Sequence, residues 1–95
     1  MDDATVERVR EVVLAIPPGE VRSYGHVAAL AGLRSARLVG RILAEDGHDL
    51  PWHRVLRADG SCAPHIAVEQ SARLRAEGVF LVDGRLPRDH RLRPR

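Results

Sequence analysis

Three arginines stand close together in a segment whose pattern predicts a helix. Arg34 precedes that segment, and Arg37 and Arg41 lie one helical turn apart within it. Ser35 is a residue type that caps helix N-termini, where free backbone N–H groups attract phosphate. Guanidinium groups bind phosphate oxygens and base edges through paired hydrogen bonds. The cluster therefore indicates nucleic-acid binding, although arginines on one helix face are also compatible with a solvated surface.

A second group of chemically capable residues follows in a polar loop. Trp52 offers an indole that either stacks on a base or folds back onto the core. His53 has the chemistry of half an acid–base pair, but the residue before it is not a nucleophile. Cys62 and His65 form a C-x-x-H pair without the further ligands that zinc requires. We therefore predict no catalytic residue, no metal and no cofactor, and we interpret Cys62 as a small buried hydrophobe.

The composition limits the class of protein. A chain of 95 residues, 44% hydrophobic and 29% charged, is typical of one small globular domain. It has no apolar run of membrane-spanning length and no basic N-terminal start of a signal peptide, so we expect a cytoplasmic protein without membrane association. All 15 basic residues are arginine, and net positive charge is concentrated in residues 21–57 and 85–95. That distribution favours an anionic partner.

The first half of the chain is predicted to be helical. Apolar residues at helical spacing predict a first helix from residue 3 to residue 16. Ser23 is suited to cap a short second helix over residues 24–31, and Ser35 is suited to cap the third. Two short helices with a tight connection predict a helix-turn-helix, whose second helix is the element that lies against a DNA groove.

The second half is predicted to add a small amount of β-structure. Residues 55–62 contain a turn signal and predict a short hairpin in the place of a wing. Residues 67–77 predict a fourth helix, and residues 79–82 predict a strand that buries Phe80. We therefore expect a mainly α fold with small β, a single winged helix-turn-helix domain. We place it at residues 1–84, followed by a basic and partly disordered tail at residues 85–95.

The run Pro51-Trp52-His53-Arg54-Val55 resembles the active-site motif Pro-Cys-His-Arg-Val of the O6-alkylguanine-DNA alkyltransferases. Tryptophan replaces the reactive cysteine, and that substitution is the mark of the alkyltransferase-like proteins, their non-catalytic relatives. The resemblance covers roughly residues 5–82 and implies the fold of the transferases' C-terminal domain. The further matching segments are Ile16-Pro17-Pro18-Gly19-Glu20-Val21, Ser23-Tyr24-Gly25, Ser35-Ala36-Arg37-Leu38-Val39-Gly40 and Glu77-Gly78-Val79.

This resemblance implies a protein that binds the minor groove of double-stranded DNA and flips an O6-alkylguanine out of the base stack. Arg37 looks like the family's arginine finger, which fills the gap in the duplex, and Tyr24 matches the tyrosine that pushes on a backbone phosphate. Trp52 takes the nucleophile's place in the lesion pocket. The predicted DNA-binding residues are Ser23, Tyr24, Arg34, Ser35, Arg37 and Arg41, and the predicted pocket residues are Tyr24, Pro51, Trp52, His53 and Arg54.

Indole is a far weaker nucleophile than thiolate, so we predict binding without repair. His53 and Glu77, which resemble the residues that activate the transferases' cysteine, are then a hydrogen-bonded structural remnant. The resemblance also implies that the protein marks its lesion for nucleotide excision repair proteins, and we expect it to act as a monomer. Two alternatives stay open. One is residual alkyl transfer through Cys62, and the other is a sequence-specific winged-helix regulator.

Overall fold

The structure is a computed structural model that describes residues 2–87. These residues form four α-helices, two short 3₁₀ turns (Trp52–Arg54 and Pro64–Ile66) and a two-stranded sheet. This is the mainly α fold with a small amount of β-structure that the sequence predicts. None of the helices within residues 2–87 combines the length and apolar character needed to cross a membrane. The elements are α1 (Asp3–Leu14), β1 (Arg22–Ser23), α2 (Tyr24–Leu30), α3 (Ala36–Asp46), β2 (Val55–Leu56) and α4 (Ala67–Ala76).

Side-chain caps fix where the first three helices begin. Asp2 caps α1 by accepting a hydrogen bond from the backbone N–H of Thr5 at 2.7 Å. Ser23 and Ser35 cap α2 and α3 in the same way, with N···O distances of 3.0 and 3.3 Å. Each such cap is worth about 1 kcal/mol. The predicted caps at Ser23 and Ser35 are thus confirmed, while α1 ends two residues earlier than predicted.

The turn between α2 and α3 is built by the backbone. Gly32 has a φ of 75°, a left-handed conformation that glycine adopts without strain. Its N–H donates to the carbonyl of Ala29 at 3.1 Å, and the N–H of Leu33 donates to that of Ala28 at 2.8 Å. These two bonds form a Schellman motif, which satisfies carbonyls at the end of α2. The chain can therefore reverse within a few residues, and the helix-turn-helix prediction is confirmed.

Two groups of buried apolar side chains hold the fold together. The first joins α1, α2 and α3, and the second lies under α4. Cys62 belongs to the second group, as predicted for a small hydrophobe. So does Leu86, although it falls in the segment predicted as a tail; residues 88–95 of that segment lie outside the described residues. The main members are Val9, Val13, Val27, Val39 and Ile42 in the first group, and Leu56, Cys62, Leu74, Val79 and Leu86 in the second.

The predicted hairpin is wrong. The strand Val55–Leu56 pairs in parallel with Arg22–Ser23, from the distant start of the helix-turn-helix. A turn does follow β2, where the N–H of Gly60 donates to the carbonyl of Arg57 at 2.8 Å, but beyond it Ser61 bridges to Arg85. Both residues of β2 are fully buried, which is the environment that parallel strands occupy.

The prediction that residues 79–82 form a strand burying Phe80 is also wrong. Val79 is buried, but Phe80 is 58% exposed. In an extended segment successive side chains point in opposite directions. Because the Val79 side chain points into the core, the Phe80 side chain points towards solvent. In the described part of the chain, only Val82 of this segment makes a bridge, to Arg85 across the tight turn at Asp83-Gly84.

Two alanine substitutions at glycines test the packing of α3, because they are expected to change the free energy of unfolding in opposite directions. A Cβ at Gly40 meets only Tyr24 Cε1, at 3.9 Å, so we expect Gly40→Ala to raise the free energy of unfolding by up to ~1 kcal/mol through helix propensity. A Cβ at Gly47 would lie 2.6 Å from the carbonyl oxygen of Leu43, so we expect Gly47→Ala to lower it by ~1–3 kcal/mol. Urea unfolding of both variants measures the difference, and a stabilised Gly47→Ala protein would contradict this helix end.

Candidate nucleic-acid interface

Tyr24 and Arg37 lie on one side of the helix-turn-helix. Tyr24 is the first residue of α2, and its partly buried ring packs beside Gly40 of α3, where an added Cβ would be 3.9 Å from Cε1. Arg37 precedes Gly40 by three residues and therefore lies on the same face of α3. Its side chain is exposed. The structure thus brings together the two residues that the resemblance assigns to phosphate contact and to the finger.

The arginines of this region differ in whether they are already paired. Arg34 and Arg37 are exposed and make no salt bridge or side-chain hydrogen bond with the residues described, so their charges are available. Arg41 donates to Glu45 one turn later, at 3.1 Å between Nε and Oε2. That pair is exposed and therefore worth little, so a phosphate can replace the carboxylate.

Trp52 lies at the start of a short 3₁₀ turn over Trp52–Arg54. The turn is closed by a hydrogen bond from the N–H of Arg54 to the carbonyl of Pro51, at 3.1 Å. The indole is partly buried and packs against the first core group. It is therefore anchored at one side while part of its surface remains accessible.

Arg73 of α4 covers the Trp52 ring and was missed in the sequence. Its Cζ atom lies 5.3 Å from the ring centroid, a distance at which a guanidinium and an indole attract each other. Glu69 holds Arg73 in place by accepting hydrogen bonds at 3.0 and 2.7 Å. The i,i+4 spacing of Glu69 and Arg73 was a visible signal for their ion pair. Nothing in the sequence showed that this face of α4 meets the indole.

Beneath the indole, Arg54 and Glu77 form a two-point ion pair. Arg54 Nε donates to Glu77 Oε1 at 3.0 Å, and a terminal nitrogen of the guanidinium donates to Oε2. The hydrogen bond from Arg54 lowers the pKa of Glu77 to about 2, with a smaller contribution from His53 and against the effect of burial. The other terminal nitrogen of Arg54 donates to the carbonyl of Ile16 at 2.8 Å. Arg54, predicted to line the pocket, is thus committed to internal bonds.

His53 is buried beside Glu77, as the resemblance implies. Its Nε2 atom lies 3.0 Å from Glu77 Oε2, but neither ring nitrogen makes a well-aligned hydrogen bond with a described residue. The backbone of this turn is held instead by Gln70, a fully buried residue of α4. Gln70 Nε2 donates to the carbonyls of His53 and Val55 at 3.1 and 2.8 Å. Gln70 is a second positioning residue that the sequence analysis missed.

Cys62 is buried in the second core group, whereas Trp52 packs against the first. Burial raises the pKa of its thiol, with the charge of Arg57 acting in the opposite direction. A raised pKa lowers the fraction of reactive thiolate at neutral pH. Among residues 2–87, no group of three or more His, Cys, Asp or Glu side chains has an arrangement able to hold a metal ion.

Sequence comparisons identify the family of this chain. The family described as 6-O-methylguanine DNA methyltransferase, DNA binding domain, matches residues 4–79. Alkyltransferase-like protein 1 of Schizosaccharomyces pombe is 35% identical over 85 residues, covering 81% of this chain and 78% of that protein. The chain belongs to the alkyltransferase-like family. The DNA base-flipping protein of Escherichia coli (strain K12) is 43% identical to this alkyltransferase-like chain over 86 residues, covering 84% of it and 66% of the relative.

Solved structures of an alkyltransferase-like protein and of a related methyltransferase have the same fold. The crystal structure of S. pombe alkyltransferase-like protein 1 in complex with damaged DNA containing O6-carboxymethylguanine has a TM-score of 0.85 to this alkyltransferase-like chain, at 27% identity and with 99% of each chain covered. The Mycobacterium tuberculosis O6-methylguanine methyltransferase has a TM-score of 0.68 at 32% identity, covering 94% of this chain and 53% of that one. The expected likeness to the transferases' DNA-binding domain is confirmed.

The Arg54–Glu77 pair predicts a pH-dependent stability. We expect Glu77→Gln to lower the free energy of unfolding by about 2–4 kcal/mol at pH 7, because it leaves the partly buried guanidinium without a counter-charge. Since the pKa of Glu77 is lowered to about 2, the wild-type advantage should be complete above pH 4.5 and be lost as the pH falls towards 2. Urea unfolding at several pH values measures this.

The matched control is Glu45→Gln, which removes a carboxylate from the exposed pair with Arg41. We expect that variant to differ from wild type by less than about 0.5 kcal/mol at every pH. A Glu77→Gln protein that unfolds like the control would show that the buried pair does not stabilise the fold.

Proposed function

We propose that this alkyltransferase-like protein is a non-enzymatic sensor of alkylated DNA. It binds the duplex from the minor groove, rotates an O6-alkylguanine out of the stack and holds it against Trp52. The observation that carries the proposal is an anchored indole, at the position of the family's reactive cysteine, next to the His53–Glu77 arrangement. It is supported by the relative named a DNA base-flipping protein and by the S. pombe relative bound to DNA containing O6-carboxymethylguanine.

The energetics of such a binding mode are balanced. Extruding a base costs a few kcal/mol, and stacking on an aromatic side chain returns ~1–3 kcal/mol. An alkyl group at O6 weakens guanine pairing and so lowers the cost of extrusion for the lesion. Arg37, exposed and unpaired among the described residues, is free to enter the vacated space. Arg73 covers the indole in the free protein, so a base that stacks on that face must exchange with the guanidinium.

The adduct is bound and not removed. Trp52 lacks a competent nucleophilic atom, and the thiol of Cys62 is buried with a raised pKa. Removal of the lesion then requires other proteins, and the excision of a damaged nucleotide is the reaction class that needs no chemistry from the sensor. We therefore propose that the protein marks lesions for nucleotide excision repair. We also propose that it acts as a monomer and in the cytoplasm.

Lesion recognition is testable through Trp52, because it is the single tryptophan of the chain. We expect a duplex with one O6-methylguanine to quench the indole fluorescence and to bind about tenfold tighter than the undamaged duplex, equivalent to ~1.4 kcal/mol of easier extrusion. Equal affinity for the two duplexes would refute lesion recognition. A marked preference for one undamaged sequence would favour a transcriptional regulator instead.

The same titration separates the finger from general charge effects. We expect Arg37→Ala to weaken binding to the lesion duplex about tenfold, because the gap left by the base is no longer filled. Arg75→Ala is the control, since Arg75 is an exposed arginine on α4, without a partner among residues 2–87, that lies away from the Arg73 face. Equal losses of affinity in the two variants would show that Arg37 contributes only its positive charge and does not act as a finger.

The absence of alkyl transfer is checked by mass spectrometry. After incubation with excess methylated duplex, we expect the intact protein to keep its unmodified mass, while an active alkyltransferase treated in parallel gains one methyl group. A gain of one methyl group by the wild type that disappears in Cys62→Ser would instead establish residual transfer through Cys62.

A further inference from the structure

The parallel sheet brings Arg57 next to Tyr24. In the ladder, Ser23 is the partner of Leu56, so the next residues along the two strands are Tyr24 and Arg57. Both therefore follow the carboxyl ends of paired strands at the same edge of the sheet. The two residues are far apart in the sequence, and only the unexpected parallel pairing makes them neighbours.

Arg57 is exposed, and its charge acts on Tyr24, Asp59 and Cys62 through space. It makes no salt bridge or side-chain hydrogen bond with any residue of the range 2–87. Its backbone is nevertheless fixed, since its N–H donates to the carbonyl of Ser61 at 3.0 Å and its carbonyl accepts from Gly60 at 2.8 Å. A guanidinium that projects from a fixed backbone without a protein partner is suited to bind an external anion.

Asp59, the acidic residue of the same turn, makes its hydrogen bonds within the loop, although the charge of Arg57 helps to lower the pKa of Asp59. Asp59 Oδ1 accepts hydrogen bonds from the backbone N–H and the hydroxyl of Ser61, at 3.0 and 2.6 Å. Its other oxygen lies 3.6 Å from Arg85. The carboxylate is thus turned into its own loop and towards a different arginine.

The field of Arg57 reaches the Tyr24 phenol. Burial raises the pKa of Tyr24, and the positive charge of Arg57 acts in the opposite direction. The phenol remains protonated at neutral pH and can donate a hydrogen bond.

We propose that Arg57 and Tyr24 bind the same backbone phosphate of DNA, with the guanidinium supplying the charge and the phenol a second hydrogen-bond donor. The site continues the surface that carries Arg37, because the Tyr24 ring packs beside Gly40 on the Arg37 face of α3. This inference rests on DNA binding, the part of the proposed function that does not depend on a lesion. It adds a residue beyond the helix-turn-helix to the interface and makes β2 an element that positions it.

The test uses the full chain and an undamaged duplex, so that it is independent of lesion recognition. Dissociation constants are measured by fluorescence anisotropy at several salt concentrations for Arg57→Gln, Tyr24→Phe and the double variant. We expect Arg57→Gln to weaken binding about three- to tenfold and to reduce the salt slope by about 0.9, the value for one phosphate contact. Arg75→Gln, the matched control, should leave both quantities unchanged relative to wild type.

The double variant decides whether the phosphate is shared. If the two residues bind one phosphate, the combined loss will be smaller than the product of the single losses, because the second substitution weakens a contact that is already impaired. An unchanged salt slope in Arg57→Gln, or losses that simply multiply, would overturn the proposal. A wild-type protein that binds duplex DNA without lesion preference would refute the sensor function and leave this test intact. Melting temperatures equal to wild type confirm that the substitutions at exposed Arg57 and partly buried Tyr24 preserve the fold.

Discussion

The ion pair between Arg54 and Glu77 is the interaction on which the arrangement of the site depends. Arg54 lies in the 3₁₀ turn that carries Trp52, Glu77 follows α4, and the same guanidinium binds the carbonyl of Ile16 after α1. One side chain therefore ties together three segments that are distant in the sequence. The directional hydrogen bonds of a guanidinium fix the relative positions of these segments more tightly than apolar contact alone. The turn that carries the Trp52 indole is thus held in a fixed position before any ligand binds.

This fixed turn explains how a reactive cysteine can be replaced without loss of the fold. The residues flanking Trp52 are engaged in backbone and ionic contacts: Arg54 with Glu77, and the His53 carbonyl with Gln70. None of these contacts requires a thiol. The residues 51–55 hold this turn through those contacts, whatever group stands at its start. A tryptophan can therefore stand at the start of the turn without disturbing these contacts.

The helices were predictable because their signals are local. Ser23 and Ser35 indicate helix starts because their caps involve only neighbouring residues. Gly32 indicates the turn because glycine is the residue that most readily adopts the left-handed conformation found there. The parallel pairing of β2 with β1 was not predictable, because the two buried residues of β2 form too short a pattern to indicate which distant segment they pair with. The exposure of Phe80 and the contact of Arg73 with Trp52 have the same origin. Both features depend on how one element is oriented against another. The periodicity of the sequence does not determine that orientation.

The parallel ladder also has a consequence for how the chain folds. The helix-turn-helix is inserted between β1 and β2, so that pairing Ser23 with Leu56 closes a loop of roughly thirty residues, at an entropic cost of about 3 kcal/mol. Only two residue pairs form the ladder, which is too few to offset that cost before the inserted helices have condensed. We therefore expect the ladder to form late in folding. The edge that carries Tyr24 and Arg57 is complete only in molecules whose helix-turn-helix has already formed.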